Sequence, residues 1–274
     1  MPEWDPRQYL KFNAERSQPS FDLVARLKSY RMKDGSLFLP AAALDLGCGP
    51  GNSTAIVANA FPEARVLGVD SSADMIKEAA ASSALPASRV SFQLFNALND
   101  PKPLARELGA GEGFDLIFSN ACIQWVPDNR ALIERLLGAL APGGLLAVQV
   151  PVNANEPIYR CVYRVVDSDR WAPCFAKRRF FTTLQELEYF DVLAGSASDF
   201  TIWKTTYMHR MPSVDAVVDW FRGTGLRPFL EQLRPEQRPR FLAEVREEMI
   251  TVAKPRPNGE VVMPFPRLFF IAEK

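Results

Sequence analysis

The sequence predicts an α/β protein, a doubly wound, mostly parallel seven-stranded sheet with a helical cap. Three observations predict it. Short apolar runs alternate with helical segments as far as residue 151, a glycine-rich turn follows the first run, and an aromatic, charged stretch separates five strand-like runs from two more. Apolar runs separated by helices indicate parallel strands covered on both faces.

The elements follow in order. An aromatic and charged stretch over residues 9–17 leads into a helical segment, 21–27. AAALDL is the first buried strand, NSTAIVANAF a helix, RVLGVD the second strand, SADMIKEAAAS a helix and VSFQLF the third strand. FDLIFSN is the fourth strand, ALIERLLGAL a helix and LLAVQVP the fifth strand. Beyond Pro151, FAKRRFF and ELEYFDVL bring aromatics and charge. TIWKTTYMHRM is a sixth strand, PSVDAVVDWFRGTGL a helix ending at glycine, and PFPRLFFIAEK a seventh strand expected to return to the sheet edge. This divides the chain into a sheet domain, 1–151 and 200–274, and a helical cap and substrate region, 152–199 and about 212–255.

Composition narrows the partners. The 274 residues suit one large domain, or one with an appended cap. Lysine and arginine total 32 and so do aspartate and glutamate, so no basic excess points to nucleic acid. No apolar run approaches the ~20 residues that span a bilayer, and the N-terminus shows no apolar leader core. The expected compartment is the cytoplasm. Four cysteines without a CxxC pair and a single histidine, His209, argue against a zinc site. The thiols Cys48, Cys122, Cys161 and Cys174 are expected to be reduced and partly buried. A small-molecule partner fits best, bound by a monomer or a homodimer, with aromatics in 170–200 offering a contact for the latter.

The stretch LDLGCGPGNST, residues 44–54, carries the chemistry. It lies beyond the carboxyl end of the first strand, where doubly wound sheets bind ligands. Glycine lets a backbone turn tightly and approach a ligand with no Cβ in the way. A dinucleotide loop needs GxGxxG, but counting from Gly47 puts Asn52 at the third glycine position. A nicotinamide dehydrogenase is thereby disfavoured, and no GK[ST] phosphate loop is present. The spacing here is instead GxGxG through Gly47, Gly49 and Gly51, preceded by Asp45. It resembles the loop of S-adenosylmethionine-dependent methyltransferases, which lies under the amino acid and ribose of the cofactor. Asp70 ends the second strand, where a carboxylate can accept both ribose hydroxyls, the favoured role; the alternative is a cap for the helix that SSADM opens. Asn96, after the third strand, can accept from the adenine amino group or be an ordinary loop residue. Gln124 and Trp125, after the fourth strand, are placed to wall the transfer channel, although Trp125 would also suit a core.

Wider resemblance follows. EWDPRQYLKFNAERSQP, LDLGCGPGNST, GVDSSADMI, ACIQWVPD, LLAVQVP, WFRGTGLRPFL and FPRLFFIAEK resemble trans-aconitate methyltransferases over nearly the whole chain. The resemblance implies a Rossmann-like sheet with a helical cap, and transfer of the methyl group of S-adenosyl-L-methionine to a carboxylate of a small polycarboxylic acid. The products are a monomethyl ester and S-adenosyl-L-homocysteine. Implied cofactor residues are Arg16, Asp45, Gly47, Gly49, Gly51, Asn52, Asp70, Ser71, Met75, Asn96 and Asn120; implied substrate residues are Tyr9, Phe12, Gln124, Trp125, Tyr159, His209, Arg227 and Arg267. The chain departs from the family pattern at Val152, Tyr159 and Asn96, where an Asp, a His and an acid are usual. Less charge and one more ring predict a different or broader acid range, extending to apolar or aromatic dicarboxylates.

The chemistry needs little from acid or base groups. A carboxylic acid has an ordinary pKa of about 4, so it is ionised at neutral pH. The work is to align oxygen, methyl carbon and sulfur, and Gln124 and Trp125 are expected to position rather than to move protons. Cations or donors must hold the carboxylate that does not react: Arg16, His209, Arg227 and Arg267, with Tyr9, Tyr159 and Tyr207 as neutral donors. Arg178 and Arg179 suit a surface pair. The alternatives are methylation of a phenol, hydroxyl or amine, which would need a base near Gln124, and non-catalytic cofactor binding for regulation.

Overall fold

The computed structural model describes residues 13–81 and 86–274, with side chains from residue 15 onward. Helix α1 (Asn13–Lys28) precedes β1 (Ala42–Leu46), α2 (Asn52–Ala60), β2 (Arg65–Asp70), α3 (Ala73–Ala81), β3 (Val90–Leu94), α4 (Lys102–Glu107) and β4 (Phe114–Asn120). A single 3₁₀ turn, Ile123–Trp125, leads to α5 (Asn129–Gly138) and β5 (Leu140–Pro151). Then come α6 (Pro157–Val166), α7 (Glu186–Ser196), β6 (Asp199–Met211), α8 (Val214–Arg222), α9 (Arg227–Gln232), α10 (Arg238–Val252) and β7 (Val261–Glu273).

The seven strands form one sheet in the order β3-β2-β1-β4-β5-β7-β6. The first five pair in parallel, and β7 runs antiparallel to both β5 and β6. The seventh strand therefore does not return to the edge; it inserts between β5 and β6. The burial pattern explains this. Of the thirteen residues of β7, all but Val262 and Pro264 are buried, as an interior strand requires, whereas exposure alternates along most of β6.

Two clusters cover the two faces of the sheet. Leu23 and Leu27 of α1 pack with Val57 of α2, Phe118 of β4 and Phe269 of β7 on one face. Leu132 and Leu136 of α5 pack with Ile117, Val148, Tyr189 and Phe270 on the other. A third cluster is the cap. In α6, Ile158, Cys161, Val162, Val165 and Val166 are buried at helical spacing, and in α8 Val214, Val217, Val218 and Phe221 repeat that pattern. They close on Phe241, Val245 and Met249 of α10 and on Met263 and Phe265 at the start of β7. The expected cap segment 152–199 divides at this point. Helix α6 belongs to the cap core, while α7 sends Tyr189, Val192 and Leu193 into the sheet layer. Of the aromatics in 170–200, Trp171, Phe175 and Tyr189 are buried and Phe190 is exposed. Among the described residues no helix is long and apolar enough to cross a membrane.

Candidate functional site

The carboxyl ends of β1, β2 and β4 open into a cavity of about 590 Å³, within the range that binds cofactors. The glycine loop forms its floor. Gly47 and Cys48 donate their N–H groups to Val69 O at 2.8 and 2.9 Å, so the loop hangs on the end of β2. Gly47 has φ +76°, and a Cβ there would stand 2.2 Å from Cys122 Sγ. Gly49 has φ +54° and nothing within 4 Å of the Cβ it lacks. That open space lies at the cavity, where Gly47, Gly49 and Asn52 are all wall residues. Gly51, at φ +91°, is not at the wall. Its missing Cβ would meet Ala79 and Phe92 at 3.3 Å, so its role is to let α2 start close to α3 and β3.

Asp70 carries both expected features of a ribose acceptor, a position at the wall and a fixed carboxylate. Oδ2 accepts from Gly49 N at 3.0 Å and Oδ1 from Ser72 N at 2.9 Å. The helix-cap alternative falls to Ser72, whose Oγ accepts from Met75 N at 3.4 Å. Each Asp70 oxygen keeps a lone pair for a hydroxyl. Ser71, Met75, Asn96 and Asn120 join it around the cavity. Asn96 Oδ1 already accepts from Leu98 N at 3.0 Å.

Asp45 lies behind the loop, fully buried, and does not reach the cavity. Its Oδ2 accepts from Ser53 Oγ at 2.7 Å and Thr54 Oγ1 at 2.6 Å, which pins α2 to the end of β1. Burial pushes its pKa up to about 6, against the pull of those two bonds. It braces the loop from below instead of touching the cofactor, because the side chains of β1 alternate between faces and this one points into the core.

A second, inner chamber of about 100 Å³ adjoins the cavity, and Arg16, Asn120, Ala121, Trp125 and Thr224 are walls of both. Gln124, Tyr159 and Arg267 line it with Phe181, Trp220 and Phe221. Arg267 Nη1 donates to Gln149 Oε1 at 2.9 Å, and its guanidinium lies 4.6 Å from the Phe265 ring. Arg16 stands 5.0 Å over the Trp220 ring. Burial holds the Tyr159 phenol well above its ordinary pKa, so it stays protonated. Gly225 makes room for it: a Cβ there would lie 2.6 Å from Oη. Trp125 is a wall of both chambers and meets Phe181 at 4.6 Å between centroids, so it is not a core residue.

Three expected substrate residues sit elsewhere. His209 is buried behind the chamber, stacked on Tyr207 and packed against Trp220 and Phe265; burial, with Arg267 nearby, lowers its pKa to about 4. It supports the wall in a neutral form because its strand face turns toward the cap core. Tyr207 bonds Asp22 on α1. Arg227 lines the outer cavity, where its Nε pairs with Glu231 at 2.9 Å. Val152 packs against the sheet core and touches neither chamber, so of the two departures after β5 only Tyr159 is at the wall. Tyr9 and Phe12 lie outside the described residues. Arg178 and Arg179 share Asp167 at the surface, as expected of a surface pair. Wall residues that sequence reasoning missed include Asn153, Phe181, Trp220, Phe221, Thr224 and Phe265. Trp220, Phe221 and Thr224 lie in WFRGTGLRPFL and Phe265 opens FPRLFFIAEK, segments that carry the resemblance without singling these residues out, and Phe181 is one of the paired aromatics of FAKRRFF.

The sheet order, the glycine loop, and the carboxylate at the tip of β2 together define an S-adenosylmethionine-dependent methyltransferase. Residues 44–146 match a family model described as a methyltransferase domain. Solved structures share the fold. YcgJ of Bacillus subtilis superposes with a TM-score of 0.56 at 14% identity, covering 94% of this chain and 98% of that one. The plantazolicin methyltransferase BpumL, solved with S-adenosylhomocysteine, gives 0.53 at 16% identity over 98% and 91%.

Full-length relatives are more specific. Trans-aconitate 2-methyltransferase of Methylobacterium radiotolerans is 41% identical over 100% of this chain and 99% of its own. That of Azoarcus sp. is 41% identical over 99% of both, and that of Enterobacter sp. 36% identical over 100% and 99%. The chain belongs to the trans-aconitate 2-methyltransferase family.

Proposed function

We propose that this enzyme methylates a carboxylate of trans-aconitate or a closely related small polycarboxylic acid, forming a monomethyl ester. The observation that carries the reading is the charge of the inner chamber. It presents Arg16 and Arg267, and among its described wall residues there is no carboxylate, lysine or histidine. Such a chamber favours an acid and offers no base for a phenol or an amine.

Bound S-adenosylmethionine supplies a methyl group on a sulfonium, a strong electrophile. Asp70, the Gly47–Gly49 turn and Asn120 would hold it. The protein's remaining task is orientation. Arg267 is held by Gln149 and Arg16 packs on Trp220, and a guanidinium is the side-chain group that recognises a carboxylate with two parallel bonds. Tyr159 adds a neutral donor. Guanidinium contacts suit the carboxylate that does not react, because charge leaves the attacking oxygen in the transition state and a tight clamp there would slow the step. The thiols take no part as nucleophiles: burial pushes Cys122 up to about 12 and Cys48 further still.

A methyl-transfer assay with labelled cofactor tests the reading. The panel holds trans-aconitate, cis-aconitate, an aromatic dicarboxylate, a monocarboxylate, a phenol and an amine. Base-labile label confined to the di- and tricarboxylic acids is expected. Base-stable label on the phenol or amine would overturn it.

A further inference from the structure

The two chambers meet at a throat walled by Arg16, Asn120, Ala121, Trp125 and Thr224. Ala121 is the smallest of the five, and its backbone is the unusual one, at φ +53°. Among the described residues one other that is not glycine has a positive φ, Asp128, and its carboxylate caps α5 by accepting from Ala131 N at 3.1 Å. Short polar side chains visit that region for such local bonds. Alanine has no polar group to use in this way. Glycine would take the same angle without strain, and the left-handed strain on alanine is a larger cost than the chain entropy glycine loses on folding. What alanine brings and glycine lacks is a methyl group.

The surroundings fix where that methyl group stands. Ala121 N donates to Gln149 O at 2.9 Å, and Ala121 O accepts from Gln124 Nε2 at 2.6 Å. Thr182 N donates to Gln124 O at 2.9 Å, so the turn is tied to the segment before α7 as well. On its other side Cys122 fills the space beside Gly47, which seats the turn on the glycine loop. Ala121 itself is half-buried, not closed off. With both of its polar atoms engaged, the surface it shows to the two chambers is carbon. A rigid apolar group at a passage discriminates by size, and one methylene in such a place is worth about 10–200-fold.

We propose that the Ala121 methyl group narrows this throat and limits the group that crosses it to methyl. In the transfer the carboxylate oxygen gains the bond to carbon that sulfur gives up, and the electron pair of that bond stays on sulfur. A group larger by one methylene is hindered at Ala121. This rests on the carboxyl-methylation reading, which gives the inner chamber to the acid, and adds the residue that sets the size of the transferred group.

The test compares S-adenosylmethionine with its ethyl homologue, S-adenosylethionine, as donors to the acid that the wild type methylates fastest, in the wild type and in Ala121→Gly. Ethyl transfer is slower by its own chemistry, but that factor is common to both proteins and cancels. The ethyl-to-methyl ratio of kcat/KM is expected to rise about tenfold or more in the variant, whose missing methyl group leaves room for one methylene. Two readouts without turnover accompany it. S-adenosylhomocysteine, which carries no group to transfer, is expected to bind both proteins equally in calorimetric titration. The ligand-free variant is expected to unfold thermally at the same midpoint or a higher one, because left-handed strain is removed. An unchanged ratio overturns the proposal. So does a lowered midpoint or a loss of S-adenosylhomocysteine affinity, either of which makes the methyl group ordinary packing. If the wild type methylates an acid and the ratio does not move, this inference alone fails; if it methylates no acid of the panel, the carboxylic-acid reading fails and takes this inference with it.

Discussion

At residue scale, two glycines two positions apart have different jobs. Gly47 is tight because Cys122 fills the space its Cβ would need, whereas Gly49 faces the cavity. Gly47→Ala combines left-handed strain with a clash against a side chain, and is expected to cost about 2–5 kcal/mol in urea unfolding. Gly49→Ala carries the strain without the clash, about 1–2 kcal/mol. Its main loss is expected in S-adenosylhomocysteine affinity, read by calorimetry, because the new methyl group enters the cavity. Both glycines were legible from spacing alone. What spacing could not show is that Gly51 serves helix packing and that Asp45 braces the loop from the core. Residues one or two apart in a tight turn point in opposite directions, and a pattern of residue types does not record direction.

At the scale of elements, the segment after β4 shows how the chamber wall is made rigid. Asn129, 1% exposed, opens α5 and donates Nδ2 to Ile123 O at 2.9 Å and Val126 O at 2.8 Å. Its Oδ1 accepts from the Tyr189 hydroxyl of α7 at 2.6 Å. Thr182 Oγ1 donates to Val126 O at 2.6 Å. Asn129 at the start of α5, Thr182 and Tyr189 of α7 thus hold the turn that carries Gln124 and Trp125. Tyr189→Phe leaves a buried amide oxygen unanswered and is expected to destabilise by about 1–2 kcal/mol, measured as a lowered midpoint of thermal unfolding. This network explains why α7 belongs to the sheet layer. Its helical character could be read from ELEYFDVL, but its partner could not, because an amphipathic face does not name the surface it meets.

At the scale of the whole molecule, two buried groups titrate with opposite effect. Asp45 has a folded pKa of about 6, above its ordinary 3.8, so the folded state holds the proton more tightly. Its contribution is fully present below about pH 4 and is lost as pH rises through 6. His209 has a folded pKa of about 4, below its ordinary 6.5, so the unfolded state holds the proton more tightly. Its contribution is present above about 6.5 and lost as pH falls to 4. Each shift corresponds to about 3 kcal/mol, of opposite sign in the same window. The two therefore nearly cancel in the wild type. Asp45→Asn is expected to lose stability relative to wild type on acidification from pH 6.5 to 4, and His209→Gln to gain it. Urea unfolding across that range checks both; parallel curves for variant and wild type would contradict the assignment.

The sequence by itself determined the class of fold, the cofactor loop and the family. Those rest on local patterns: short apolar runs between helical segments, three glycines at fixed spacing, an acid at the tip of β2, and segments shared along the chain. It also marked Arg267, Tyr159 and Gln124 as candidates. The tertiary structure alone decided which candidates meet. It placed β7 inside the sheet, set His209 behind the wall, removed Val152 from it, and brought Trp220 and Phe181 to it. The physical reason is that the inner chamber is assembled from α1, the turn after β4, the cap and β7. Its shape depends on long-range packing of faces, which residue types permit but do not specify.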